Sequence, residues 1–103
     1  MKRNKTKSAI DWHDAAEALK SIAHPERLAI LNLIGGSEDE QVKVKNIYET
    51  LRLEQSITSR HLTTMKKSGV LKRDVRKGKV FYYFNMENIV VQCIKILLTE
   101  QAK

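Results

Sequence analysis

Apolar residues recur at helical spacing from Trp12 through Ala15, Ala16, Leu19 and Ile22 to Ala23. That pattern predicts a first helix, α1, ending at about Ala23, with one apolar face and Asp11 as its N-cap. His24-Pro25 interrupts the pattern and suits the start of α2, since proline lacks only a donor that a first turn leaves unpaired anyway. Leu28, Ala29, Ile30, Leu31, Leu33 and Ile34 make this segment apolar on most sides. It is expected to run from Pro25 to about Ile34 at the centre of the core, ended by Gly35-Gly36. The acidic stretch Glu38, Asp39 and Glu40 reads as an exposed loop. Val44, Ile47, Tyr48 and Leu51 then fall at i, i+3, i+4 and i+7, predicting a short α3.

After a turn at Arg52-Leu53, a fourth helix, α4, is expected from about Glu54 to Lys67. Its inner face would carry Ile57 or Thr58, Leu62 and Met65, with Gly69 as the stop. Val70-Leu71 and Val80 to Phe84 are β-rich and flank a charged connection ending Arg76-Lys77-Gly78-Lys79, so they should pair as an antiparallel hairpin with glycine at its tip. Asn85 is expected to cap a last helix, α5, from Met86 to about Leu98. The fold class is therefore mainly α with a small β-hairpin (α+β), a winged helix-turn-helix of order α1-α2-α3-α4-β-β-α5.

Two features of that layout point to double-stranded DNA. Gln55, Ser56, Ser59, Arg60 and Thr63 share the outer side of α4, and these residue types can pair with base edges: arginine with guanine, glutamine with adenine, hydroxyls with either. Arg76, Lys77 and Lys79 would lie at the hairpin tip, within reach of phosphates or a narrow minor groove. The formal net charge of +7 over 103 residues is concentrated near this hairpin and in the leader, which holds Lys2, Arg3, Lys5 and Lys7. Residues 1–10 are expected to form a disordered basic arm and residues 11–103 the single winged domain. Phe81, Tyr82 and Tyr83 sit within a strand, which favours packing over stacking on single-stranded bases.

The last helix carries Ile89, Val90, Cys93, Ile94, Ile96, Leu97 and Leu98, more apolar side chains than one face of so small a monomer can cover. Trp12 and Leu19 of the first helix, with Ile89, Val90, Cys93 and Leu97 of the last, are the expected dimer interface, placing two reading helices about one DNA turn apart. The single cysteine, Cys93, excludes an internal disulfide. With no signal-peptide core and no long apolar run, a cytoplasmic protein is expected. No serine-histidine-aspartate set, carboxylate pair or phosphate-cradling glycine loop suggests an enzyme.

AEALKSIAHPERLAILNLI followed by LEQSITSRHLTTMKKSGVLKRDVRKGKVFYYF resembles the ArsR-type winged-helix repressors, over about residues 15 to 98. Their shared motifs are a D-P-x-R-L-x-I-L segment, an S-x-H-L recognition helix and an R-x-G-x-x-x-Y-Y wing. The resemblance implies a homodimer that binds an operator and represses transcription until a signal releases it, with Gln55, Ser56, Ser59 and Arg60 where family members contact bases. The usual signal sites are missing. Lys43 and Lys45 stand where many members carry a thiolate pair able to hold a soft metal, and no histidine follows His61. Two further departures are His24 in place of a capping aspartate and Arg52 in place of a turn glycine.

The expected function is a sequence-specific repressor with no metal site and no cofactor. A metal- or redox-responsive repressor of the same fold, using His13, His24, His61 or Cys93, is one alternative, and zinc or oxidant added to an operator titration separates the two. A winged helix used only for protein contact is another. It calls for an apolar outer face on the fourth helix, which Gln55, Ser56, Ser59 and Arg60 do not provide.

Overall fold

The computed structural model describes residues 10–101. Its elements are α1 (Trp12–Ile22), α2 (Pro25–Gly35), β1 (Gln41–Lys43), α3 (Val44–Leu51), α4 (Gln55–Lys67), β2 (Leu71–Arg76), β3 (Lys79–Phe84) and α5 (Ile89–Gln101), with a 3₁₀ turn at Glu38–Glu40. This is the winged helix-turn-helix order, with one strand more than the hairpin alone. The expected basic arm lies outside the described residues except for Ile10.

Local chemistry sets most of the boundaries. Asp11 Oδ1 accepts the Asp14 amide at 3.2 Å, capping α1. His24 caps α2 through Nδ1, which accepts the Glu26 amide at 3.1 Å, so an imidazole performs the task of the aspartate it replaces. α4 ends in a Schellman motif: the Gly69 amide donates to Lys66 O and the Val70 amide to Met65 O, at 3.1 and 2.9 Å. Gly69 has φ +86, where a side chain is disfavoured, and Val70 and Met65 are both buried beside the turn.

The cap of α5 is corrected. Asn88, not Asn85, accepts the amides of Val90 and Val91, at 2.9 and 3.4 Å, so the helix proper starts at Ile89. Asn85 is occupied elsewhere, donating to Gly69 O at 2.9 Å and accepting the Glu87 amide. Gly69 O takes a second bond from the Asn88 amide group at 3.2 Å, so the end of α4 and the start of α5 are tied to one carbonyl.

β1 pairs antiparallel with β3 and completes a sheet of order β1-β3-β2, with Val42 opposite Tyr82. β2 and β3 form the wing, joined by Lys77 and Gly78 at φ 51 and 78. Two successive positive φ angles make the two-residue turn that matches strand twist. One face of the sheet, with Val42, Leu71, Tyr82 and Phe84, closes onto Ile30, Leu31 and Ile34 of α2, Ile47 of α3 and Leu62 and Met65 of α4. Leu28 alone of the large apolar residues of α2 is exposed. None of the described helices is long and apolar enough to cross a membrane.

Candidate nucleic-acid interface

The helix-turn-helix is α3, a turn and α4. Arg52 caps α3 at φ 58 and ψ 44, in the left-handed region, and its amide donates to Tyr48 O. A side chain there is strained by about 1–2 kcal/mol relative to glycine, and the strain buys the tight turn that swings α4 across α3.

α4 buries Thr58, His61, Leu62 and Met65, the i, i+3, i+4, i+7 stripe that leaves the opposite side to solvent. Gln55, Ser56, Ser59, Arg60 and Thr63 are all exposed. None has a side-chain hydrogen bond or ion pair with another described residue, so the donors and acceptors of this face are unspent. Lys66 and Lys67 extend the same helix with exposed positive charge.

α4 is held to the body by more than apolar contact. His61 is buried and lies between two groups from the start of α2. Arg27 Nε donates to its Nδ1 at 3.0 Å, and its Nε2 meets Glu26 Oε1 at 2.7 Å. Arg27 Nη1 also donates to Ser21 O at the end of α1, at 2.9 Å. Three helices are thus joined through one guanidinium and one imidazole.

His24, Glu26 and His61 bring their ligand-type atoms within 4.8 Å of one another. Both imidazoles already take part in hydrogen bonds there. Arg27 Nε and the Glu26 amide can only donate, so Nδ1 of His61 and of His24 must accept, and in the neutral rings the proton then sits on each Nε2. His13 is exposed on α1, apart from this group.

The wing separates the three cations expected at its tip. Lys77 and Lys79 are exposed and unpaired among the described residues. Arg76 is committed. Its Nε lies 3.1 Å from Asp74 Oδ2, its Nη2 donates to Gln41 Oε1, and its Cζ sits 4.1 Å over the Phe81 ring. Arg73 is exposed and has no such partner among the described residues. Its place in a strand of alternating faces was the signal by which the sequence could have shown it.

Apart from the α4 face and the wing, α1 and α5 leave an apolar groove of about 420 Å³. Trp12 and Leu97 are 74% and 61% exposed, and Leu19, Ile89 and Cys93 are exposed as well. Val90 differs from the rest of the expected interface set, since it is buried in the monomer's own core.

Comparisons with known proteins agree with this geometry. The family model described as "Bacterial regulatory protein, arsR family" matches residues 24–73, from the cap of α2 into β2. The transcriptional repressor PagR of Bacillus anthracis is 40% identical over 84 residues, covering 82% of this chain and 81% of PagR. The crystal structure of PagR superposes with a TM-score of 0.73 at 37% identity, over 84% of this chain and 94% of that one. An uncharacterized HTH-type transcriptional regulator, MJ1325 of Methanocaldococcus jannaschii, is 31% identical over 84% of this chain and 93% of its own length. The homodimeric winged helix-turn-helix domain of Mb0332 from Mycobacterium bovis shares the fold, with a TM-score of 0.73 at 19% identity, over 99% of this chain and 91% of that one. With its motifs, its fold and these relatives in agreement, the chain belongs to the ArsR family of bacterial regulatory proteins.

Proposed function

We propose that this protein is a cytoplasmic homodimeric repressor that reads an operator with α4 of each subunit, rests its wing on the flanking backbone, and is released by a signal other than a metal ion. The observation that carries the reading is the unspent set of side chains on the exposed face of α4, Gln55, Ser56, Ser59, Arg60 and Thr63, beside a wing with free lysines. An amide, three hydroxyls and a guanidinium left without protein partners suit base edges better than they suit a protein surface. PagR, the relative with 40% identity, is itself named a transcriptional repressor.

The dimer is supported by the apolar groove between α1 and α5. Trp12, Leu19, Ile89 and Leu97 stand exposed together there, and a second copy would cover them across a two-fold axis. The Mb0332 domain of the same fold is described as homodimeric. Independence from metal is supported by Lys43 at the N-cap of α3 and Lys45 in its first turn and by the donors that occupy both Nδ1 atoms near Glu26.

Two measurements test this. Selection of duplexes from a random pool should return a sequence with two half-sites about one helical turn apart. Sedimentation at micromolar concentration should give twice the chain mass. A monomer of 11.9 kDa, or a pool that emerges without a common sequence, would overturn the reading.

A further inference from the structure

The wing holds two arginines that look alike in sequence and differ in the sheet. Strand pairing puts Asp74 opposite Phe81 and Arg76 opposite Lys79, while Leu71 pairs with Phe84, Arg73 with Tyr82 and Val75 with Val80. Side chains directly opposite share a face and alternate along each strand. Arg76 therefore shares the outer face with Asp74 and Phe81. Arg73 shares the inner face with Leu71 and Tyr82, the face that packs on the helices.

On the outer face Arg76 crosses β3 over the Phe81 ring and reaches Gln41 in β1, with Asp74 at its Nε. The guanidinium is neutralised, stacked and bonded at both ends, so transferring it to a phosphate would cost an ion pair and release little counterion. Arg73 carries a whole charge with no protein partner among the described residues. Beyond it on the same face Val75 is 53% exposed, an apolar surface that contact with DNA sugars would cover.

We propose that Arg73, on the helix-facing side of the wing, is the wing's guanidinium contact to the DNA backbone, and that Arg76 is a positioning residue that straps β2 to β1 and fixes where the wing points. This rests on the reading of α4 and the wing as the DNA-contacting surface. A phosphate contact shows itself in the salt dependence of binding, with a slope of about 0.9 per phosphate neutralised on duplex DNA. A positioning residue weakens binding without changing that slope.

The test measures affinity against salt for the full chain, using a duplex selected by the wild-type protein from a random pool and a scrambled duplex of equal length. Arg73→Ala should make the slope shallower by about two units in a dimer, one contact per subunit, with similar losses on both duplexes. Arg76→Ala and Arg76→Lys should both keep the wild-type slope, bind more weakly, and speed amide exchange at the β2–β3 tip. Lysine keeps the charge and could still meet a phosphate, but it cannot bridge Asp74 and Gln41 while stacking on Phe81. A shallower slope in Arg76→Ala that Arg76→Lys restores, or an unchanged slope in Arg73→Ala, would overturn the assignment. A wild-type chain that binds neither duplex would remove the DNA reading itself, and this proposal with it. Selective wild-type binding with an unchanged Arg73→Ala slope would remove the proposal alone.

Discussion

Thr58 is fully buried on the inner face of α4, and its Oγ1 has no hydrogen-bond partner among the described residues. An unmade hydrogen bond at a buried hydroxyl costs about 1–3 kcal/mol. Valine has the same β-branched shape and puts a methyl where the hydroxyl stands, adding roughly 0.8 kcal/mol of burial. Part of this gain is discounted, because the Glu54 carbonyl, which already accepts the Thr58 amide at 3.0 Å, lies where a small motion could offer the hydroxyl a weak bond. Thr58→Val should therefore stabilise the fold by about 1 kcal/mol. For a domain of this length that is a rise of roughly 4–8 °C in Tm. The measurement needs one fixed protein concentration, since a dimer's midpoint moves with concentration. Because the side chain faces the core, affinity for the selected duplex should stay within about twofold, roughly 0.4 kcal/mol. A lower Tm would show that the hydroxyl has a partner and that the burial argument is wrong. Unchanged stability with weakened DNA binding would show that this side of α4 is not the inner one.

Arg52→Gly should raise the urea midpoint, because φ 58 costs an L-residue about 1–2 kcal/mol and glycine returns some of it as unfolded-state entropy; a lower midpoint would refute the strain. Arg60→Ala should lose roughly 1–3 kcal/mol of discrimination at its preferred base, and equal losses on selected and scrambled duplexes would contradict its place as a base reader. Zinc titrated into the apo protein should bind without stoichiometric heat and leave operator affinity unchanged. Stoichiometric binding with a tenfold loss of operator affinity, about 1.4 kcal/mol, would show that His24, Glu26 and His61 rearrange around a cation after all.

The helices were legible because their signals are local. Asp11, Pro25 and Gly69 mark ends that the structure places within about one residue of the expected ones. Elements that depend on a distant partner were not legible. Gln41-Val42-Lys43 is too short to show alternation, and it becomes a strand only because β3 offers its edge. Asn85 and Asn88 are equivalent caps in sequence, and both give a side-chain N–H to the Gly69 carbonyl from the end of α4; they differ in the oxygen, which takes the Glu87 amide ahead of the helix in Asn85 and the first helical amides in Asn88. The choice between Ile57 and Thr58 was open for a related reason. The polar residue is the buried one, because the inward stripe of α4 is set by His61, Leu62 and Met65.

The exposed face of α4 could be read from spacing and residue type, since neither depends on what the side chains touch. In the wing, strand alternation separates Arg73 from Arg76, but spacing and residue type do not say which of the charges are paired. A cluster of basic residues around a glycine states how much charge is present, and the sheet register decides which charges are free. Asp74 is the one acidic residue within that cluster. Two residues from Arg76 on one strand, the two fall on the same face and pair, whereas Arg73, adjacent to Asp74 in sequence, is sent to the opposite face. The second anchor, Gln41, comes from a strand that the hydrophobic pattern does not reveal. The same reasoning covers His61, whose partners Glu26 and Arg27 lie more than thirty residues earlier. In both cases sequence supplied the chemical groups and the fold set their commitments, so the available charge of a wing is better counted after pairing than before it.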